Sequence, residues 1–337
     1  MSTQKITSME VAKLAGASQS AVSRVFTPGA SSSKKTNELV RKAAAELGYR
    51  PNVLARSLIT GKSRMIGLVV AYLDNYFYPE ALELLSSALQ KKGYHVLIFM
   101  SGNKEGDIAD AVDEILDYQV DGIIAASVSM SSDLAKRCTS AGVPVVLFNR
   151  TQDDDRLSAV TSDNFQGGQK VARFLLAGGH KRIGYIAGWE GASTQRDREK
   201  GFTEELVRNG QELYAREVGN FNSDEARQAA RTMFSKQNFP DAVFVANDAM
   251  AIAVIDVIRF ELGLQVPEQV SVVGYDDVPI SSWPAYDLTT VRQPANRMVA
   301  ETVSILIESI ENKTTTARRV EIDGPLMVRG SAKISDK

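Results

Sequence analysis

From Gln19 to Phe26 the chain pairs polar with apolar residues: Gln19 and Ser20, Ala21 and Val22, Ser23 and Arg24, Val25 and Phe26. Wound as an α-helix at about 100° per residue, the polar four fall in an arc of about 140° and the apolar four fill the opposite side. The polar face then offers an amide, two hydroxyls and a guanidinium, the groups that hydrogen-bond base edges and phosphates. A second set of polar residues follows strand-like segments: Asn149-Arg150, Asn247 and Asp276-Asp277. These are binding groups without an obvious nucleophile. Asp276 and Asp277 could be read as a carboxylate pair, but neighbours on a strand point to opposite faces. There is no G-x-x-x-x-G-K-[ST], no G-x-G-x-x-G after the first strand-like segment, no H-E-x-x-H and no G-x-S-x-G. His95 and His180 are far apart and read as structural. No catalytic residue, metal site or cofactor is expected.

The chain of 337 residues is long enough for two or three domains, and its 44% hydrophobic and 24% charged residues are those of a globular protein. No apolar run approaches the ~18 residues that span a bilayer. The segment "MSTQKITSMEVAKL" has no apolar core like that of a secretory signal, and Cys138 is the only cysteine. A cytoplasmic protein without membrane contact is expected. Residues 1–60 hold nine basic side chains against three acidic ones, a net of +6, which leaves −8 for the rest of a chain whose total is −2. A basic end on an acidic body suits a polyanion that meets only the end; a solvated lysine-rich face has the same composition.

Elements must position the polar face. Thr7-Ser8-Met9-Glu10 has the spacing of a capping box, which predicts a helix over about residues 8–14. Gly16 in "AGA" supplies a tight turn, and Ser18 can cap the next helix. A third helix is expected from Ser33 or Thr36 to Leu47, closed by Gly48, with Leu39, Ala43, Ala44 and Leu47 as its apolar stripe. Helix, glycine turn, helix is a helix-turn-helix outline.

"ITSMEVAKLAGASQSAVSRVF" and then "KKTNELVRKAAAELGYRPNVLARSL" resemble the DNA-binding headpiece of the LacI/GalR family of bacterial transcription regulators, and the similarity runs on through the chain. The resemblance implies that Gln19, Ser20 and Arg24 read bases, and that Thr7, Ser18, Ser23, Ser33 and Thr36 hold phosphates. The loop "TPGASSS" departs from the family, whose members often carry a bulky apolar residue near Ser32. After Pro51, the stretch from Asn52 to Leu58 is too short to be helical alone. A plain linker fits it. The resemblance implies instead a hinge helix that folds on DNA, with Asn52 on phosphate, Ala55 allowing close approach and Leu58 wedged into a minor-groove base step.

In the body, "MIGLVVAYL", "HVLIFMS", "DGIIAASV", "VPVVLFN", "RIGYIAG", "DAVFVAND" and "VSVVGYDD" read as strands buried on both faces, with amphipathic helices between them at 79–92, 107–118, 165–177, 224–237 and 248–262. The expected fold class is α/β: an all-α helix-turn-helix headpiece and a two-lobed, doubly wound body. The resemblance makes that body a type I periplasmic-binding-protein fold. The expected domains are a headpiece (1–50), a hinge (51–63) and an effector-binding and dimerisation body (64–337). Its first lobe takes about 64–161 and 293–322, its second about 162–292 and 323–337. Ligands of such sheets bind beyond the carboxyl ends of the strands. Candidates there are Tyr76 and Phe77, which could stack on a ring, Asn149, Arg150 and Phe165. Four more, Arg198, Phe221, Asn247 and Asp276, match ligand positions of the family. For any one of them, structural bonding at a strand end is an equal alternative. Arg150, Arg196 and Arg198 lean the effector toward a sugar acid or sugar phosphate over a neutral sugar, although Arg196 could equally pair with Asp197 or Glu199. The resulting expectation is a homodimeric regulator, a repressor and not an enzyme, on a pseudo-palindromic double-stranded DNA operator. A sugar-binding or sugar-processing protein built on the same body is the alternative. No apolar heptads follow the last strand-like segment, so no C-terminal coiled coil is expected.

Overall fold

The computed structural model describes residues 6–27, 30–50, 62–71, 73–101, 105–128, 130–152, 156–235, 237–312 and 316–334. They form two compact units, one up to Ser63 and one from Arg64 onward.

The first unit holds α1 (Ser8–Ala15), α2 (Gln19–Val25) and α3 (Lys34–Leu47). Thr7 and Glu10 form the capping box: the Thr7 N–H donates to Glu10 Oε2 (2.7 Å), and the Glu10 N–H to Thr7 Oγ1 (3.4 Å). Gly16 ends α1 with φ 61°, a left-handed conformation that costs glycine no Cβ clash, and Ser18 Oγ then accepts the Ala21 N–H to start α2. Val11, Val22 and Val40 are fully buried where the helices meet. The expected stripe of α3 is corrected by one position. Leu39 is 45% exposed and Val40 takes its place, because the inward face of α3 runs through 40, 43, 44 and 47 at helical spacing. The hinge residues Asn52, Ala55 and Leu58 lie outside the described residues.

The second unit contains two six-stranded sheets. In the first, β1 (Met65–Val70), β2 (His95–Met100), β3 (Gly122–Ala126), β4 (Val145–Phe148), β5 (Ser158–Ser162) and β11 (Arg319–Ile322) lie in the order β11-β5-β4-β3-β1-β2, all parallel. In the second, β6 (Ile183–Ala187), β7 (Ala215–Val218), β8 (Ala242–Val245), β9 (Ser271–Asp276), β10 (Thr289–Arg292) and β12 (Leu326–Met327) lie in the order β12-β10-β9-β8-β6-β7, with only β12 antiparallel. Helices cover both: α4 (Phe77–Lys91), α5 (Glu105–Asp117), α6 (Ser132–Ser140) and α11 (Ala295–Asn312) with the first, α7 (Asn164–Ala177), α8 (Ser193–Arg208), α9 (Ser223–Phe234) and α10 (Asp248–Asp256) with the second.

All seven strand-like segments are strands, but not all are buried on both faces. On the edge strand β2, Ile98 is 55% and Met100 53% exposed, both on one face of the pleat. The chain passes between the sheets three times, after β5, after β10 and after β11. The three passages are tied together: the Asp163 N–H donates to the Ile322 carbonyl (3.0 Å) and the Arg292 N–H to the Pro325 carbonyl (2.9 Å). Between them, Ser162 Oγ and Gln293 Oε1 lie 3.2 Å apart.

Candidate functional sites

In the first unit, Gln19, Ser20, Ser23 and Arg24 are all exposed while Val22 and Val25 are buried, so α2 turns its polar face outward. Gln19 Nε2 donates to Ser8 Oγ (3.0 Å), and the Ser18 and Ser20 hydroxyls are 3.0 Å apart. The Arg24 side chain has no hydrogen bond or ion pair among the described residues, which leaves its donors open. Ser18 and Ser33 cap α2 and α3 through their oxygens, a use that does not spend the hydroxyl proton on the cap. Thr7 is committed further: its hydroxyl donates to Glu10 Oε2 (2.9 Å). Thr36 Oγ1 lies 2.8 Å from Ser33 Oγ.

In the second unit the predicted ligand residues fall into two groups. Arg198, on α8, is the hub of the first. Its Nε donates to Asn164 Oδ1 (2.8 Å) and its Nη1 to the Ala246 carbonyl (2.6 Å); its Nη2 is 3.6 Å from Asp276 Oδ1, and the guanidinium lies 3.7 Å from the Tyr275 ring centroid. Asp276 also accepts from Asn75 Nδ2 (3.0 Å) and Gln293 Nε2 (2.7 Å), and its φ of 127° is strained for a residue with a Cβ. Asn75 follows β1 of the first sheet, so this bond joins the two lobes. Asn247 caps α10 through Oδ1, and its buried Nδ2 has no partner among the described residues.

The second group is Asn149 and Arg150 after β4. Asn149 sits at φ 62° and donates through Nδ2 to the Tyr78 hydroxyl (3.1 Å), while its buried Oδ1 has no partner among the described residues. Arg150 lies over the ring of Trp189, 5.3 Å from the centroid. Phe221 packs its ring where a Cβ on Gly188 would stand, 2.2 Å away, and so borders the same loop.

Three aromatic expectations fare differently. Phe77 is 2% exposed and stacks on Phe148 (6.2 Å between centroids, 9° between planes), so its ring belongs to the core rather than to a stacking surface for ligand. Tyr76 precedes α4 and is 52% exposed. Phe165 lies under Lys200 Nζ, 5.9 Å from its ring centroid. A cavity of about 520 Å³ beside β9 and β10 takes in only Phe77 and Asp276 of the predicted set. The buried, unpartnered amides of Asn149 and Asn247 are therefore the better guide to where a ligand would bond.

Several residues here escaped the sequence reading. Gln195 accepts from the Tyr185 hydroxyl (2.8 Å) and the Gly188 N–H (2.7 Å), fixing the loop that carries Trp189. Asp248 is fully buried and accepts from Thr290 Oγ1 (2.6 Å), Ser281 Oγ (2.7 Å) and the Val278 N–H (3.0 Å). Gly274 allows that approach, since a Cβ there would stand 2.2 Å from Asp248 Oδ1. The Asp276-Asp277 carboxylates do part company: Asp277 pairs with Arg292 and Arg329, both at 2.5 Å. The buried pair is Asp276 with Asp248. Burial, reinforced by the Asp276 charge, pushes Asp248 up to about 7, and burial raises Asp276 against the pull of Arg198.

A carboxyl raised in the folded state contributes its full stability below its unfolded value of about 4 and loses it as pH rises through the folded one. The body is thus expected to lose stability between pH ~4 and ~7 from this site. Asp248→Asn is expected to flatten that part of the curve, read as melting temperature against pH; an unchanged slope would contradict the assignment. Among the described residues no group of three or more His, Cys, Asp or Glu side chains is placed to hold a metal ion. Burial pushes the Cys138 thiol up to about 11, which leaves it protonated and unreactive at neutral pH.

Comparison with known proteins agrees with both units. Residues 7–52 match the family of bacterial regulatory proteins named after lacI, and residues 172–332 match the periplasmic binding protein-like domain. The HTH-type transcriptional repressor PurR of Pasteurella multocida (strain Pm70) is 30% identical over 329 residues, covering 96% of this chain and 98% of that protein. The chain belongs to the LacI family. A solved complex of the transcriptional regulator CelR with cellobiose is 31% identical to this LacI-family chain, with a TM-score of 0.73 over 97% of this chain and 100% of that one. The lac repressor dimer bound to operator and the anti-inducer ONPF is 27% identical, with a TM-score of 0.88 over 97% of this chain and 99% of that one. The LacI-family chain is thus a DNA-binding transcription regulator with a ligand-binding body, and the relatives it matches are regulators rather than enzymes. Among its described residues no helix is long and apolar enough to cross a membrane.

Proposed function

We propose that this LacI-family regulator is a cytoplasmic repressor and not an enzyme, and that a small carbohydrate-type ligand between its lobes controls its hold on a pseudo-palindromic operator. The outward polar face of α2 carries the reading, with Gln19, Ser20, Ser23 and Arg24 exposed over a buried Val22 and Val25. Gln19, Ser20 and Arg24 read bases in the major groove, and Ser18, Ser23, Ser33, Thr36 and Thr7 register the phosphates. Residues 1–50 are the headpiece, 51–63 the hinge and 64–337 the body. In the hinge, Asn52, Ala55 and Leu58 meet the minor groove, with Leu58 as the wedge.

The protein works as a homodimer, because a twofold operator mirrors a twofold protein. The lac repressor of the operator complex is a dimer, and this chain exposes Ile98, Met100, Phe260 and Trp283, apolar surface that a second copy can cover. The ligand bonds to Asn149, Arg150, Arg198, Asn247 and Asp276, beside Phe221, with Tyr76 and Phe165 at the periphery. A sugar, sugar acid or sugar phosphate fits these groups; the CelR relative holds cellobiose, and the lac repressor complex holds the anti-inducer ONPF. The ligand changes operator affinity only through its different affinity for two lobe arrangements. Lobe motion reaches DNA through the chain, since Ser63 leads straight into β1 of the first lobe.

An electrophoretic shift of the full chain with genomic fragments, in excess nonspecific competitor, tests this reading. Discrete shifted fragments whose binding changes with a sugar-type ligand are expected; a chain that holds every fragment equally weakly at low salt would contradict it.

A further inference from the structure

Arg150 is 3% exposed, and among the described residues its side chain has neither a hydrogen bond nor an ion pair. Its one cation–π, hydrogen-bond or ion-pair contact among the described residues is with the ring of Trp189, which follows β6 of the other lobe. The next residue ties the same crossing: the Thr151 N–H donates to Ser193 Oγ (2.9 Å). The guanidinium is therefore held across the cleft, nearly out of water, with no counter-charge among the described residues. That arrangement is costly, since a desolvated charge is normally paired. Arg198 is treated differently, because Asp276 stands 3.6 Å away and Asn164 and the Ala246 carbonyl take its other donors. Among the described residues, Arg198 is thus compensated and Arg150 is not.

A guanidinium held over an indole ring spends none of its N–H groups on that contact as hydrogen bonds, and its planar fork matches an oxyanion with two oxygens. The buried Oδ1 of Asn149, the adjacent residue, is an acceptor without a donor among the described residues and suits a ligand hydroxyl. We propose that Arg150, seated on Trp189, is an anion-reading subsite, so that the ligand carries a carboxylate or phosphate group beside its hydroxyls and neutral sugars are rejected. This rests on the cleft being the ligand site. One uncompensated positive charge fits one negative charge, which favours the carboxylate.

The test uses the full chain with Trp283→Phe, which leaves Trp189 as the only one of two tryptophans. D-Gluconate, D-glucose 6-phosphate and neutral D-glucose are titrated by fluorescence, and melting temperatures are measured with and without each. An anion is expected to shift the Trp189 emission and raise the melting temperature, while glucose does neither. Gluconate acting alone assigns a carboxylate, and the phosphate acting alone a phosphate. Arg150→Met is expected to weaken the anion at least about tenfold, a loss of one charge-assisted bond. Without ligand it is expected to melt about 2 °C or more higher, because the unpaired charge is gone. An anion bound equally well by Arg150→Met, or glucose bound best, overturns the subsite. Where no probe responds, the ligand-free melting temperature decides: a rise supports the subsite, and a fall makes Arg150 a structural residue and overturns it. Responses that survive Arg198→Lys count instead against the cleft as the ligand site.

Discussion

Arg24→Ala is expected to weaken operator binding about ten- to a hundredfold, the value of one good bidentate base contact. The side chain is exposed and makes no described bond within the protein, so its removal leaves the headpiece core of Val11, Val22 and Val40 intact. The loss therefore belongs to the interface and not to folding. Binding to unrelated DNA is expected to fall much less, because it rests on the summed phosphate charge of a basic headpiece. Titration of operator and scrambled duplexes at one salt concentration separates the two. An equal loss on both duplexes would make Arg24 a phosphate contact; no loss would remove it from the interface.

Arg198→Lys is expected to abolish the ligand response while operator binding persists. Lysine keeps a positive charge for Asp276, so the variant avoids an uncompensated carboxylate in the core. It cannot reproduce the planar fork that reaches Asn164, the Ala246 carbonyl and Asp276 together, nor the stacking on Tyr275. Those partners sit on α7, after β8 and at the end of β9, so one side chain sets the spacing of three elements at the proposed ligand site. Ligand affinity is expected to drop at least about tenfold. Isothermal titration with the cognate ligand measures it, and a parallel operator titration checks that the headpiece is unaffected. Loss of operator binding without ligand would assign Arg198 to the framework instead.

The headpiece was legible because its rules are local. Thr7 with Glu10, Gly16 and Ser18 each act within a few residues, and the helices begin and end where those residues require. Leu39 failed for the same reason in reverse: hydrophobicity alone does not separate it from Val40, and only the packing of three helices does. In the body, runs of Val, Ile and Leu gave away the central strands. β5, with Ser158, Thr161 and Ser162 among five residues, and the two-residue β12 carry no such signal. The family resemblance pointed to Arg198, Asn247 and Asp276, which the fold does bring together around Asn164 and Ala246. Phe77 was read as a ligand platform because its spacing cannot reveal that Phe148 lies flat against it. Asp248 and Trp189 were missed because their significance arises from partners distant in the chain, Thr290 and Ser281 for one and Arg150 for the other.

The most direct measurement is selection of bound duplexes from a random library by the full chain, in parallel with a Gln19→Ala/Arg24→Ala variant. The account predicts one enriched motif with twofold symmetry for the parent chain, and its loss in the variant while weak binding to all sequences remains. Enrichment of no motif, or of the same motif by both proteins, would contradict the claim that the exposed face of α2 reads the bases.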